Sequence, residues 1–326
     1  MNVCIVGCGL IGHKRLDALR AEDRLVSAAD THVERAVALA GKRSGVLTTT
    51  NWRDSICRPE VDAVIVATTN EWLAPVTLCA VQAGKHVLVE KPGARSSEEL
   101  DPVFAAAIER RRCVWVGFNH RYHPAIQKAR EIFESGALGP LMFIRGRYGH
   151  GGRLGYDKEW RADPKVSGGG ELLDQGVHLI DLARWFLGDF KDVSGSVHTY
   201  FWDMPVEDNA FLSLRTEQNQ TAWLHASCTE WKNLFSLEIY GQQGKLHIEG
   251  LGGSYGTEQL RYYKMLPQMG PPETTIWEYC GPDTSWRREF AAFAAAVQRG
   301  DESLLALKDA QAVLRIVGRI YNGVTR

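Results

Sequence analysis

Residues 2–12 read Asn2-Val3-Cys4-Ile5-Val6-Gly7-Cys8-Gly9-Leu10-Ile11-Gly12, a short apolar strand that runs directly into G-x-G-x-x-G. Between a strand and a helix these glycines have separate tasks. The first makes the tight turn, the second admits a pyrophosphate to the backbone, and the third lets the next helix pack on the sheet. The phosphates then sit at that helix's N-terminus, against Gly7, Gly9, Leu10, Ile11 and Gly12. A lone match is weak, but here a strand precedes the loop and a helical run through Arg20 comes after it. A second strand, Leu25 to Ala29, ends in Asp30, eighteen residues past Gly12. An acidic residue there hydrogen-bonds an adenosine ribose and repels a 2′-phosphate, so NAD is expected rather than NADP. Asp30 can also cap the helical run Val33 to Ala40, and the two roles are compatible.

The alternation of strand and helix continues. Val61 to Ala67 is an apolar, β-branched strand of the kind buried on both faces of a parallel sheet. At its C-terminal end stand Thr68, Thr69 and Asn70, where open α/β sheets bind their ligands; the same residues can cap a helix over Trp72 to Ala83. His86 to Val89 is the next buried strand. It ends in Glu90-Lys91-Pro92, which adds Glu90 and Lys91 to the cofactor-side candidates, with Pro92 suited to a cis peptide. A helix over Ser97 to Arg111 and a strand over Val114 to Phe118 close a doubly wound parallel sheet expected to hold six strands, five of which these runs locate. The expected domains are 1–119, closing on Asn119 as a further cofactor contact, and 120–326.

Composition narrows the function. The 326 residues, 44% hydrophobic and 24% charged, suit two soluble domains of roughly 150 residues each. A formal net charge of -1 gives no reason to expect nucleic acid or an anionic membrane as partner, so small molecules are expected. No run of about eighteen apolar residues occurs, and the first residues read as a strand rather than a signal peptide, which points to the cytoplasm. Seven scattered cysteines with no C-x-x-C argue against a disulfide framework and a zinc knuckle.

The chemistry is expected around Gly168-Gly169-Gly170-Glu171-Leu172-Leu173-Asp174-Gln175-Gly176-Val177-His178-Leu179-Ile180-Asp181. Three glycines and then an apolar-periodic run predict a tight turn entering a helix that stops near Gly188. Asp174 and His178 are four residues apart, on one face of an α-helix, where a carboxylate can orient an imidazole and favour its protonated form. That is a general-base arrangement. No neighbouring histidine or cysteine pair completes a metal site, so no metal is expected. The long glycine-rich, charged segment 149–164 before it reads as a loop bordering a substrate pocket, with Trp160 and Arg161 as contacts to substrate or nicotinamide. The second half otherwise shows strand-like runs at Leu141 to Tyr148, Ser194 to Phe201, Asn209 to Leu214, Thr221 to Cys228, Ser236 to Tyr240 and Lys245 to Glu249. An antiparallel sheet can leave one face free, and this many aromatics make that face a candidate subunit interface for a homodimer or homotetramer. Final helices, Trp286 to Gln298 and Leu307 to Tyr321, are expected to cover the sheet.

Four elements together carry a family resemblance: the glycine loop, Gly84-Lys85-His86-Val87-Leu88-Val89-Glu90-Lys91-Pro92, the Asn119-His120-Arg121-Tyr122-x-Pro124 segment, and Gly168 to Asp181. In order and spacing they resemble the Gfo/Idh/MocA family, the glucose–fructose oxidoreductase and inositol dehydrogenase relatives. The resemblance implies a Rossmann domain followed by an α/β domain with a large, mostly antiparallel, open-faced sheet that often mediates assembly. It also implies a catalytic trio of Lys91, Asp174 and His178. The expected activity is NAD-dependent oxidation of a secondary alcohol on a sugar, amino sugar or cyclitol, or the reverse. A non-catalytic NAD- and sugar-binding regulator and an NAD-dependent glycoside hydrolase are the alternatives.

Overall fold

The computed structural model describes residues 1–301 and 304–323. They form two compact units. The first opens with β1 (Asn2–Val6), α1 (Leu10–Asp17), β2 (Arg24–Ala29), α2 (Val33–Ala40), β3 (Leu47–Thr49), α3 (Trp52–Ile56), β4 (Ala63–Val66), α4 (Asn70–Gln82), β5 (His86–Glu90), α5 (Asp101–Arg110) and β6 (Val114–Gly117). All six strands are parallel, in the order β3-β2-β1-β4-β5-β6. This is the doubly wound order, with the chain reversing direction across the sheet beside β1. Both faces of its central strands are covered, so β4 is buried throughout and the strands read as continuous apolar runs.

The second unit contains α6 (Pro124–Glu134) and β7 (Leu141–Gly149). Beyond the short helix α7 (Pro164–Ser167) come α8 (Val177–Leu187) and seven strands: β8 (Asp192–His198), β9 (Asn209–Arg215), β10 (Thr221–Ser227), β11 (Leu234–Gly241), β12 (Gly244–Glu249), β13 (Glu258–Lys264) and β14 (Glu273–Tyr279). The eight strands run β14-β13-β12-β11-β7-β10-β9-β8, antiparallel except for β7 beside β10. Alternation along the strands sorts the side chains. Ile144, Leu212, Leu224, Leu237 and Ile248 are buried on one face, and α8 packs on β7 where Gly146 leaves room for Leu179. The other face presents Arg145, Arg147, Phe211, Trp223 and Tyr240, with a groove of about 650 Å³ between several of them.

Two last helices, α9 (Ser285–Gln298) and α10 (Leu305–Gly323), correct the expected division of the chain. Residues 286–315, with 165–168, belong to the first unit rather than continuing the second. The cause is packing: Phe290 and Phe293 of α9 are fully buried in one core with Val3, Ile5, Ile65 and Leu88. Among the described residues the second unit comprises 119–164, 169–285 and 316–323. Beneath that first core lies a charged cluster. Arg15 of α1 is fully buried, donating from Nε to Glu90 at 2.5 Å and from Nη1 to Glu289 of α9 at 2.7 Å. Burial works against its charge, but the two carboxylates outweigh it and hold the guanidinium above its ordinary range.

Candidate active site

In the first unit the glycine loop has the shape that a pyrophosphate requires. Gly7 has φ +92°, and a Cβ there would lie 2.3 Å from the Ala67 carbonyl oxygen; one on Gly12 would lie 2.2 Å from the Gly7 oxygen. Nothing stands within 4 Å of the corresponding position on Gly9, which is the N-cap of α1. The outer glycines therefore let the chain fold onto itself, and the middle one leaves space for a phosphate. Leu10 is exposed and Ile11 half-buried at the start of the same helix.

Asp30 ends β2 beside this loop. Its Oδ2 accepts from the Cys8 N–H at 2.8 Å and its Oδ1 from the His32 N–H at 3.0 Å, while the Arg35 guanidinium stands 4.0 Å away. The carboxylate braces the glycine loop and turns the chain into α2, whose N-cap position falls on His32. Thr69 is the N-cap of α4, and Thr68 Oγ1 donates to the Thr69 carbonyl at 3.1 Å. Asn70 is engaged by its own unit, donating to the Ser167 carbonyl at 2.8 Å. Glu90 is the partner of Arg15, so its carboxylate fixes the end of β5 one residue before half-buried Lys91. The Lys91–Pro92 peptide is cis.

In the second unit the last two of the three glycines are explained by close approach. A Cβ on Gly169 would lie 2.1 Å from the Tyr321 hydroxyl, and one on Gly170 would lie 2.0 Å from the Glu207 carbonyl oxygen. Glu207 also organises the residues just after the glycines. Its backbone oxygen accepts from the Glu171 N–H, and its carboxylate accepts from Leu172 N–H at 3.1 Å and from Tyr321 at 2.7 Å. Leu172–Gly176 forms a π-helical turn before α8 begins at Val177. This modifies the expected geometry. Asp174 sits in the wide turn and His178 in the first turn of α8, so the pair does not share a continuous α-helical ladder. Such π turns are frequent at functional sites.

The surroundings of these two residues are specific. Arg161 Nε donates to Asp174 Oδ2 at 3.1 Å, and its guanidinium lies over the Trp160 ring at 4.6 Å. Of the two loop residues expected to touch substrate or nicotinamide, Trp160 is thus covered by Arg161, and Arg161 is bound to Asp174. His178 is only 3% exposed. The His120 ring stacks on it, with centroids 3.7 Å apart and planes 19° from parallel. Arg121 forms a bidentate pair with Asp181 of α8 at 2.8 and 2.6 Å. Asn119 donates to Ser285 Oγ at 2.9 Å and faces His120 Nδ1 through its amide oxygen at 3.3 Å. Tyr148 of β7 closes on both histidines edge-on, and burial pushes its phenol well above the ordinary range, so it stays neutral. In the loop, Tyr156 donates to buried Glu171 at 2.8 Å. The sequence pattern assigns no site role to His120 or Tyr148 and does not encode this Tyr156–Glu171 bond. Only His120 left a signal, as part of a polar run directly after a buried strand. Among the described residues no three metal-ligating side chains converge, and no helix is long and apolar enough to cross a membrane.

A doubly wound domain with an open glycine cradle, linked to an open-faced sheet that carries a buried histidine at a helix start, defines a class of nucleotide-dependent proteins. The chain belongs to the Gfo/Idh/MocA family. The model of the oxidoreductase family with an NAD-binding Rossmann fold matches residues 1–118, and the GFO/IDH/MocA C-terminal domain matches 126–247. The chain is similar to the levoglucosan dehydrogenase of Pseudarthrobacter phenanthrenivorans, 30% identical over 66% of this chain and 58% of that protein. The match thus spans less than two thirds of that dehydrogenase. The 1,5-anhydro-D-fructose reductase of Ensifer adhaerens is 32% identical over 73% of this chain and 74% of its own. In fold, a solved levoglucosan dehydrogenase in complex with NADH superposes with a TM-score of 0.86 at 24% identity, covering 99% of this chain and 96% of the other.

Proposed function

We propose that this protein is an NAD-dependent dehydrogenase that oxidises a secondary alcohol of a sugar, amino sugar or cyclitol to a ketone, or runs the reverse reaction. The observation that carries this reading is the placement of Asp174 and buried His178 on one π-to-α segment, in a family whose first domain binds NAD. Gly7, Gly9 and Gly12 with Asp30 hold the dinucleotide, which supplies the hydride acceptor. His178 takes the hydroxyl proton as the carbon gives up its hydride. Asp174 stabilises the imidazolium, and Lys91 supplies positive charge to the oxygen as it becomes anionic. The names of the relatives, a dehydrogenase and a reductase of carbohydrates, favour this substrate class. Screening monosaccharides, anhydrosugars, inositols and amino sugars for NADH formation tests it. Accumulating NADH supports the dehydrogenase; binding without NADH supports a sensor, and sugar release with cofactor regenerated supports a glycosidase.

NAD(H) is the expected cofactor because an acidic residue after the second strand, here Asp30, favours ribose hydroxyls and repels a 2′-phosphate. Calorimetric titration should give tighter binding of NADH than of NADPH. Equal or tighter NADPH binding would show Arg35, beside Asp30, receiving the phosphate instead. A homodimer or homotetramer is expected on the open sheet face. That face is less purely apolar than the sequence suggests. Phe143 stacks on Tyr240 and Phe211 on His225, yet Arg145 and Lys245 converge on Glu238 among them. Burial works against ionising Glu238, but these cations hold its carboxyl down at about 2. Trp223, 64% exposed, still leaves an aromatic surface to cover. Light scattering at micromolar concentration should return a multiple of the monomer mass; a monomer would refute the assembly.

A further inference from the structure

We propose that His120 is a positioning residue for His178: stacked face to face on it, His120 fixes the plane of the imidazole that takes the substrate proton. The proposal rests on the reading of His178 as the base. An imidazole at a helix start has two free torsions, and a base is useful only while its nitrogen points at the hydroxyl. A partner lying flat against the ring holds the torsion that sets its plane. The stack does so, at 3.7 Å between centroids.

His120 is itself clamped. Asn119 Oδ1 faces its Nδ1 at 3.3 Å, and the Asn119 amide is anchored on Ser285, whose N–H donates to Asp283 at 2.8 Å. Tyr148, His123 and Phe235 close around the His120 ring edge-on, with centroids at 5.0, 5.6 and 5.9 Å. Buried His123 is in turn held by Glu258 at 3.0 Å. A second link fixes the register: Arg121 grips Asp181 one helical turn beyond His178. Two consecutive residues of the Asn119–Tyr122 segment thus hold two positions on one face of α8. The ion pair sets the helix's rotation and the stack sets the ring. A flat, unsaturated side chain is what the stack requires.

The test compares His120→Leu, which fills the space without a flat ring, with His120→Phe, which keeps one. Both are measured on the best alcohol from the substrate screen, with NADH affinity and melting temperature recorded alongside. His120→Leu should lower kcat about ten- to a hundredfold while KM and NADH affinity change less than about threefold. His120→Phe should recover most of the loss. Wild-type turnover in folded His120→Leu would overturn the proposal, and so would His120→Phe as slow as His120→Leu. Imidazole-labelled NMR adds a readout that needs no substrate and no variant of uncertain folding. The His178 ring protons should lie upfield of ordinary histidine in the wild type, shielded by the stacked ring, and an ordinary shift would also overturn the proposal. Failure of the base reading looks different. If His178→Ala turns over normally, that reading falls whatever His120 does; if His178→Ala is dead while His120→Leu is normal, only the stacking role falls.

Discussion

His178→Ala should lower turnover by about two to four orders of magnitude while leaving NADH affinity nearly unchanged. On the proposed mechanism the imidazole is the proton acceptor of the chemical step, whereas the glycine loop and Asp30 belong to the first unit. Asp174→Asn should act in the same direction, because the neutral amide keeps the shape but stabilises the imidazolium less. It also weakens the bond to Arg161, so its effect and that of an Arg161 substitution should not be additive. A purely structural histidine predicts another pattern, in which melting temperature falls and activity drops only in proportion to the folded fraction. Stopped-flow NADH formation together with a thermal melt separates the two.

The second large effect is on stability. Arg15→Met should destabilise the protein by about 3–5 kcal/mol, because it leaves the Glu90 and Glu289 carboxylates facing each other in the core without their shared cation. Arg15 and Glu289 are fully buried and Glu90 nearly so, which leaves little solvent to screen the loss. Equilibrium denaturation in urea measures it. A change below about 1 kcal/mol would mean that the carboxylates take up protons readily and that the cluster is not a brace. Since Glu90 immediately precedes Lys91, the same variant should also lower kcat more than the residual folded fraction accounts for.

How much of this could be read from the residues depends on the range of the interaction. The glycine loop, Asp30 and the strands β1, β4 and β5 are local patterns, and each lies where the sequence places it. Strand β3 escaped notice because three half-buried residues, Leu47–Thr49, carry no period. Strand β14 escaped it because Glu273–Tyr279 is a mostly exposed edge strand with little apolar alternation. Helix α6 carries a legible signal, Pro124 in its first turn and Ala125, Ile126, Ala129 and Ile132 on one buried face, that the run of strands around it obscures. The site divides in the same way. Asp174 and His178 are visible as neighbours, but Glu207 meets the segment before them from 35 positions away, and Arg15 finds Glu289 across 274 positions. The return of α9 to the first unit likewise depends on Phe290 and Phe293 filling a core whose other walls come from the beginning of the chain. No local periodicity encodes such partners.

The central claim is direct hydride transfer from a carbohydrate carbinol to NAD with the proton taken by this chain. The most direct measurement uses the best alcohol from the screen, deuterated at the carbon to be oxidised, with mass spectrometry of both products. The NADH should carry the deuterium and form in equal amount to a ketone, and the labelled substrate should react more slowly in the wild type. Loss of the label to water, or consumption of the sugar with no labelled NADH, would contradict direct transfer.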